Sequence, residues 1–124
     1  GPGEPAQVDV SLLDEALRFV DGALRLGGAE LFVGDGDELS ERGLARLAEL
    51  AAYLREHPEV ERLVIRVTLG GADGPEALHR SQRRADNVAG WLFGHGVDRG
   101  RLDPRGLGAG AADEVELRVT AAPR

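Results

Sequence analysis

The chain has 124 residues, with 22 acidic side chains against 15 basic ones, no cysteine, no methionine and one tryptophan. That length suits a single domain burying roughly two-thirds of its extended-chain surface, and a 42% hydrophobic content supplies a core and excludes global disorder. A net charge of −7 argues against nucleic acid, no apolar run approaches the roughly 18 residues of a membrane span, and the lack of cysteine excludes disulfides and thiolate sites.

The opening GPGEPAQ reads as a tag remnant and linker over residues 1–8, leaving one domain over 9–124. Residues 9–33 read as extended segments broken by the turn dipeptides Asp21-Gly22 and Gly27-Gly28. Within them, VSLLDEAL fits either a strand or a short helix. A helix then opens at Ser40, an N-cap preceded by Leu39, which is placed to pack on Leu44. Its apolar face is Leu44, Leu47, Ala48, Ala51 and Leu54, and Pro58 ends it. VERLVIRVTL, rich in β-branched residues, is the best strand in the chain.

Gly70 to Gly74 form a loop, and Pro75 suits the first turn of a second helix. That helix presents Leu78, Ser81, Ala85, Val88 and Leu92 on one face, and Gly96 supplies a left-handed cap. RLDPRGLG is a short extended segment and EVELRVT a last alternating strand. The order β, β, α, β, α, β, β predicts an α+β two-layer sandwich: a mixed sheet, residues 61–68 central, both helices on one face.

Most chemical motifs dissolve on inspection. No G-x-S-x-G surrounds Ser11, Ser40 or Ser81, so serine-hydrolase chemistry has no footing. His57, His79 and His95 lack metal-ligand spacing; two of them lie near helix C-termini, where an imidazolium is favourable. DGDE at 35–38 resembles half a calcium loop, but Leu39 to Arg46 do not complete it. RGLGAG follows no βαβ pattern and opens no helix. No cofactor or metal is expected. The cluster Arg80, Arg83, Arg84 is different: like charges four apart on a helix repel, so something anionic should offset them. Either nearby carboxylates of this chain or a bound anion would do so.

LVIRVT, then RSQRRADNVAGWLFGHGVDRGRLDPRGLG, then VELRV resembles the OmpA-like peptidoglycan-binding domain family, also called MotB-like, over about residues 23–120. Ser81, Arg84, Ala85 and Val88 match the family's helix motif. Gly96, Val97, Arg101, Leu102, Gly106 and Gly108 match its turn and third strand, and Val115-Glu116 its closing strand. The resemblance implies a non-enzymatic domain of the Gram-negative cell envelope, in the periplasm or at the outer membrane, holding the peptide stem of peptidoglycan. In the family a strand-end aspartate takes the ammonium of diaminopimelate, and the helix arginine fifteen residues later takes a carboxylate in fork geometry. Here that arginine is Arg84, but the aspartate position is Leu69, following a matching Thr68. The family's loop asparagine falls on Ala77, and its closing Arg-Arg pair on Asp113-Glu114.

Two functions follow. A degenerate diaminopimelate site, with weak or no peptidoglycan binding, leaves a scaffold or interaction module for an envelope protein, with an apolar patch around Leu69, Trp91 or Phe93 as its surface. A retained site makes a non-covalent peptidoglycan anchor using Arg84, Arg80, Thr68 and Asp73.

Overall fold

The structure is a computed structural model that describes residues 19–121. The linker over 1–8, the domain start at residue 9 and the ambiguous segment at 10–17 lie outside the described residues. The first described feature is a two-residue turn. Asp21 and Gly22 both have positive φ, 53° and 79°, and Val20 and Ala23 exchange both backbone hydrogen bonds across it at 2.7 and 3.0 Å. This is the type I′ geometry that favours a residue such as Asp followed by Gly.

Strand β1 (Ala23–Gly27) leads directly into a single helical turn, α1 (Gly28–Leu31). The expected Gly27-Gly28 turn and the extended reading of residues 28–31 are therefore incorrect. Gly28 serves close approach instead: a Cβ there would sit 2.8 Å from the Asp113 Cβ and 2.9 Å from Arg84 Nη1. Helix α2 (Glu41–Glu56) is capped by Ser40, whose Oγ accepts from Gly43 N at 2.9 Å, and it stops ahead of Pro58 as expected. Its buried face is Gly43, Leu47, Leu50, Ala51, Tyr53 and Leu54. Ala48 is exposed and Leu44 only half-buried, against expectation. Gly43 explains the rotation, since a Cβ there would lie 2.6 Å from the Leu31 carbonyl, so α2 rests on the backbone of α1.

Strand β2 (Val60–Leu69) covers the whole predicted segment. Helix α3 (Gly74–Gly94) follows, with Pro75 in its first turn and Gly96, φ +97°, just past its end. A short 3-10 turn (Arg99–Arg101) leads to β3 (Leu102–Ala109), and β4 (Glu114–Ala121) is the last described element. The sheet order is β1–β4–β2–β3, with β2 antiparallel to β4 and parallel to β3, so residues 61–68 are interior to a mixed sheet. The parallel pair needs a crossover, and α3 provides it.

One sheet face is apolar. Leu24, Leu26, Leu63, Ile65, Val67, Val115 and Leu117 join α2's Leu47, Leu50 and Leu54 and α3's Ala85, Val88 and Leu92 in one buried cluster. Both helices therefore cover the same side. Leu78 does not join them; it is 49% exposed. Gly106 and Gly108 draw α3 so near β3 that small Ala77 and Ser81 face inward there. Ser81 Oγ accepts from Gly108 N at 2.9 Å, while Gln82 accepts from Gly106 N at 2.9 Å and donates to the Pro104 carbonyl at 3.3 Å. Arg101 donates to the carbonyls of Leu54, His57 and Val60, tying the end of α2 to the start of β2.

The opposite sheet face is polar and ordered by register. Arg25, Glu116, Arg66 and Arg105 stand side by side across the four strands. Glu116 lies beneath Arg25, Arg66 and Arg118, its oxygens 3.2 to 3.4 Å from their nitrogens. Asp103 pairs with Arg105 at 2.7 Å and Arg62 at 3.7 Å. Burial alone pushes the Glu116 carboxyl up, but the guanidiniums of Arg118, Arg25 and Arg66 outweigh it and hold the group below the usual carboxylate range. Stability from this group is thus fully present above the unfolded carboxyl value, about 4.3, and lost as pH falls through the lower folded value. Thermal melts from neutral pH down to pH 3 should show a decline that Glu116→Gln makes shallower; an unchanged slope would remove Glu116 from the acid transition.

Candidate ligand site at the end of β2

The positions singled out by the family resemblance gather where β2 ends, α3 begins and β4 starts. Leu69 is the last residue of β2 and is 1% exposed. Its carbonyl accepts from Gly110 N at 2.9 Å, which ties the β3–β4 connection back onto it. The next residue, Gly70, packs so tightly that a Cβ would lie 2.8 Å from the Ala112 Cα. Thr68 donates its hydroxyl to the Ala112 carbonyl at 3.1 Å. Ala77, where the resemblance puts a loop asparagine, is fully buried. Leu69 itself contributes nothing to the apolar surface expected around it, because it is 1% exposed. Trp91 is half-buried and stacks on His95 with ring centroids 3.7 Å apart, while Phe93 is exposed under the Arg99 guanidinium.

Arg84 is 1% exposed, the largest fully buried side chain among the described residues. Its fork is filled from within the chain. Nε donates to the Gly36 carbonyl at 2.9 Å, Nη2 to the Gly34 carbonyl at 3.3 Å, and Nη1 lies 3.5 Å from Asp113 Oδ2. The guanidinium carbon sits 4.5 Å from the centre of the Phe32 ring. Asp113 is itself fixed, accepting from Gly70 N at 2.7 Å through its other oxygen. The Asp113 carboxylate, at the position where the resemblance puts a basic pair, thus neutralises the helix arginine.

The neighbouring side chains of α3 hold the same loop. Arg80 Nη2 donates to the Asp35 carbonyl at 2.9 Å, Asn87 Nδ2 to the Asp37 carbonyl at 2.6 Å, and Arg83 Nε lies 3.6 Å from an Asp37 carboxylate oxygen. Residues 34–38 lie along α3 as a strip of backbone acceptors. The anionic offset expected for the arginine cluster is therefore mostly carbonyl oxygen, a group type no charge pattern registers. The signal the sequence did offer here is a turn: Gly34 takes a left-handed φ of +58°, which bends the loop back along α3.

Asp73 precedes α3 as its N-cap residue, exposed and making no side-chain cap bond. Among the described residues, the ion pair of Arg84 is with Asp113 and not with Asp73. Of the four expected ligand groups, Arg84 and Arg80 are adjacent beneath one loop, Thr68 bonds to backbone, and Asp73 stands apart. Asp113, Phe32 and the 34–38 carbonyls complete the constellation.

No family model matches the sequence, and no curated protein matches it either. Solved structures do. A putative MotB-like protein from Desulfovibrio vulgaris superposes with a TM-score of 0.75 at 19% identity, over 93% of this chain and 88% of that one. The periplasmic domain of Helicobacter pylori MotB gives 0.72 at 15% identity, over 85% of this chain and 80% of that one. The peptidoglycan-associated lipoprotein of Burkholderia pseudomallei gives 0.65 at 18% identity, over 88% and 99%. With the mixed four-stranded sheet and its helix layer, these likenesses give the chain an OmpA-like domain fold.

Proposed function

We propose that this chain is an OmpA-like domain of the bacterial cell envelope, on the periplasmic side, in which the diaminopimelate site is closed. It serves as a scaffold or protein-interaction module with weak or no hold on peptidoglycan. The observation that carries this reading is the state of Arg84. A guanidinium that is to grip a ligand carboxylate must present its fork, and this one is buried against two carbonyls, a carboxylate and a ring. Buried apolar Leu69 offers an ammonium group no partner. Losing one charge-assisted contact removes about 1.5–3 kcal/mol, roughly ten- to hundredfold in affinity. The structural likeness to a protein named as peptidoglycan-associated supports the envelope setting.

Co-sedimentation with purified sacculi tests it. The domain should stay in the supernatant at micromolar concentration, and free diaminopimelate at millimolar concentration should leave its NMR spectrum nearly unchanged. Leu69→Asp should lower the melting temperature without adding binding, because the new carboxylate would be desolvated. Saturable sedimentation of the wild type, competed by diaminopimelate and weakened by Arg80→Gln, would overturn the closed-site reading and restore the peptidoglycan anchor.

A further inference from the structure

Away from the helices, the polar face of the sheet concentrates positive charge in a chain whose net charge is −7. Arg25, Arg62, Arg66, Arg105 and Arg118 stand there, against Glu116, Asp103 and, at one end, Glu114. The vertical arrangement matters more than the tally. The Glu116 side chain is 10% exposed, whereas those of Arg25, Arg66 and Arg118 are 67%, 45% and 42% exposed. Carboxylates lie underneath and guanidiniums on top, so an approaching molecule meets N–H donors.

A second observation points the same way. Arg66 and Arg105 are register partners on adjacent strands, roughly 4.8 Å apart. Like charges directly opposite one another weaken a sheet. Each turns to its own acid, Arg66 to Glu116 and Arg105 to Asp103, and neither acid bridges the two. An anion lying across β2 and β3 would.

We propose that this face, centred on Arg66 and Arg105, docks an acidic segment of a partner protein whose carboxylates bridge neighbouring arginines. An extended chain carries same-side residues every 6.8 Å or so, which suits a lattice of arginines on a pleated sheet. A lipid surface fits less well. Between the arginines stand Ala23, Val64, Thr68 and Thr120, with no aromatic to insert; Leu107 of β3 is a single exposed apolar side chain, and the chain's overall charge opposes an anionic bilayer. This inference deepens the interaction-module reading and rests on it only in part, since the proposed face is centred on Arg66 and Arg105, whereas Arg84 is buried on the helix side of the sheet.

The test is fluorescence anisotropy with a labelled peptide of alternating Glu and Thr, about 12 residues long, at low and physiological salt. Net repulsion between two acidic molecules makes any binding diagnostic of a local basic face. Binding should be saturable and should weaken steeply with salt. Arg66→Gln with Arg105→Gln should reduce it roughly five- to tenfold, while Arg42→Gln, on the exposed side of α2, should not. Arg105→Glu should abolish binding; because it also replaces the 2.7 Å partner of Asp103 with a like charge, its melt is recorded alongside, and Arg105→Gln alone should weaken binding in the same direction. The proposal is overturned by no peptide binding at low salt, by binding that the sheet variants leave unchanged, or by capture on phosphatidylglycerol vesicles without peptide binding. Self-association in light scattering that the same sheet variants abolish, without peptide binding, would assign the face to a second copy and overturn it too.

Discussion

Arg84→Met should destabilise the domain by about 3 kcal/mol and unfasten residues 34–38, with no change in sacculus binding. Methionine fills much of the buried stem's volume, so the loss is chiefly polar. Two carbonyls, Gly34 and Gly36, and the Asp113 carboxylate lose their donor together. Breaking a buried ion pair by deleting one partner costs about 3–5 kcal/mol. Asp113 keeps the Gly70 N–H and is 37% exposed at its side chain, which places the expectation at the low end of that range. Against a total stability of about 5–15 kcal/mol this is a large fraction. The readout separating a fastening role from a ligand role is local: hydrogen exchange should accelerate through residues 33–38 before global unfolding. Unchanged exchange there, together with lost binding to sacculi, would assign Arg84 to a ligand instead.

Gly106→Ala should be of the same order, about 3 kcal/mol, by a purely steric route. A Cβ at residue 106 would lie 2.5 Å from the Gln82 Cα, 2.8 Å from the Ser81 carbonyl carbon and closer still to the Gln82 nitrogen. All three are helix backbone atoms, so no rotamer change relieves the clash; α3 as a whole has to withdraw from β3. Overpacking of a tight interior costs about 1–3 kcal/mol, more when backbone must move. Withdrawal also stretches the Ser81 and Gln82 bonds to Gly108 and Gly106. A fall in melting temperature of roughly 15 °C is expected for a domain of this size. A variant melting within a few degrees of wild type would mean that the helix–strand gap is more forgiving than the structure shows.

The two helices, the central strand and the closing strand were legible because each carries its own period or cap. Ser40, Pro58, Pro75 and Gly96 mark boundaries through local backbone chemistry, and the structure places those boundaries accordingly. What was not legible depends on close approaches between distant segments. Gly28 looks like a turn residue but is small to admit Asp113 and Arg84. Gly43 rotates α2 by packing on α1, which exposes Ala48 and buries Leu50; Gly106 and Gly108 leave Leu78 outside. A missing Cβ reads the same whether it serves a turn or a contact. At the candidate site the resemblance located Leu69 and Arg84, but the loop that occupies the arginine fork bonds through main-chain carbonyls, which are common to every residue and so carry no side-chain signal.

Gln82 has a consequence for how this sheet ends. Its amide accepts from Gly106 N and donates to the Pro104 carbonyl, the two-way exchange an additional strand would make. Along the same outer rim of β3, Pro104 has no N–H to offer and Gly108 already donates to Ser81. The free border of the sheet on that side therefore has its successive donors cancelled by one ring and two side chains. An exposed border with unpaired donors is a template for pairing with foreign chains. Here the helix that packs on the sheet also terminates it, so that β3 cannot recruit a stranger's strand and chain-to-chain growth of the sheet is barred from that border.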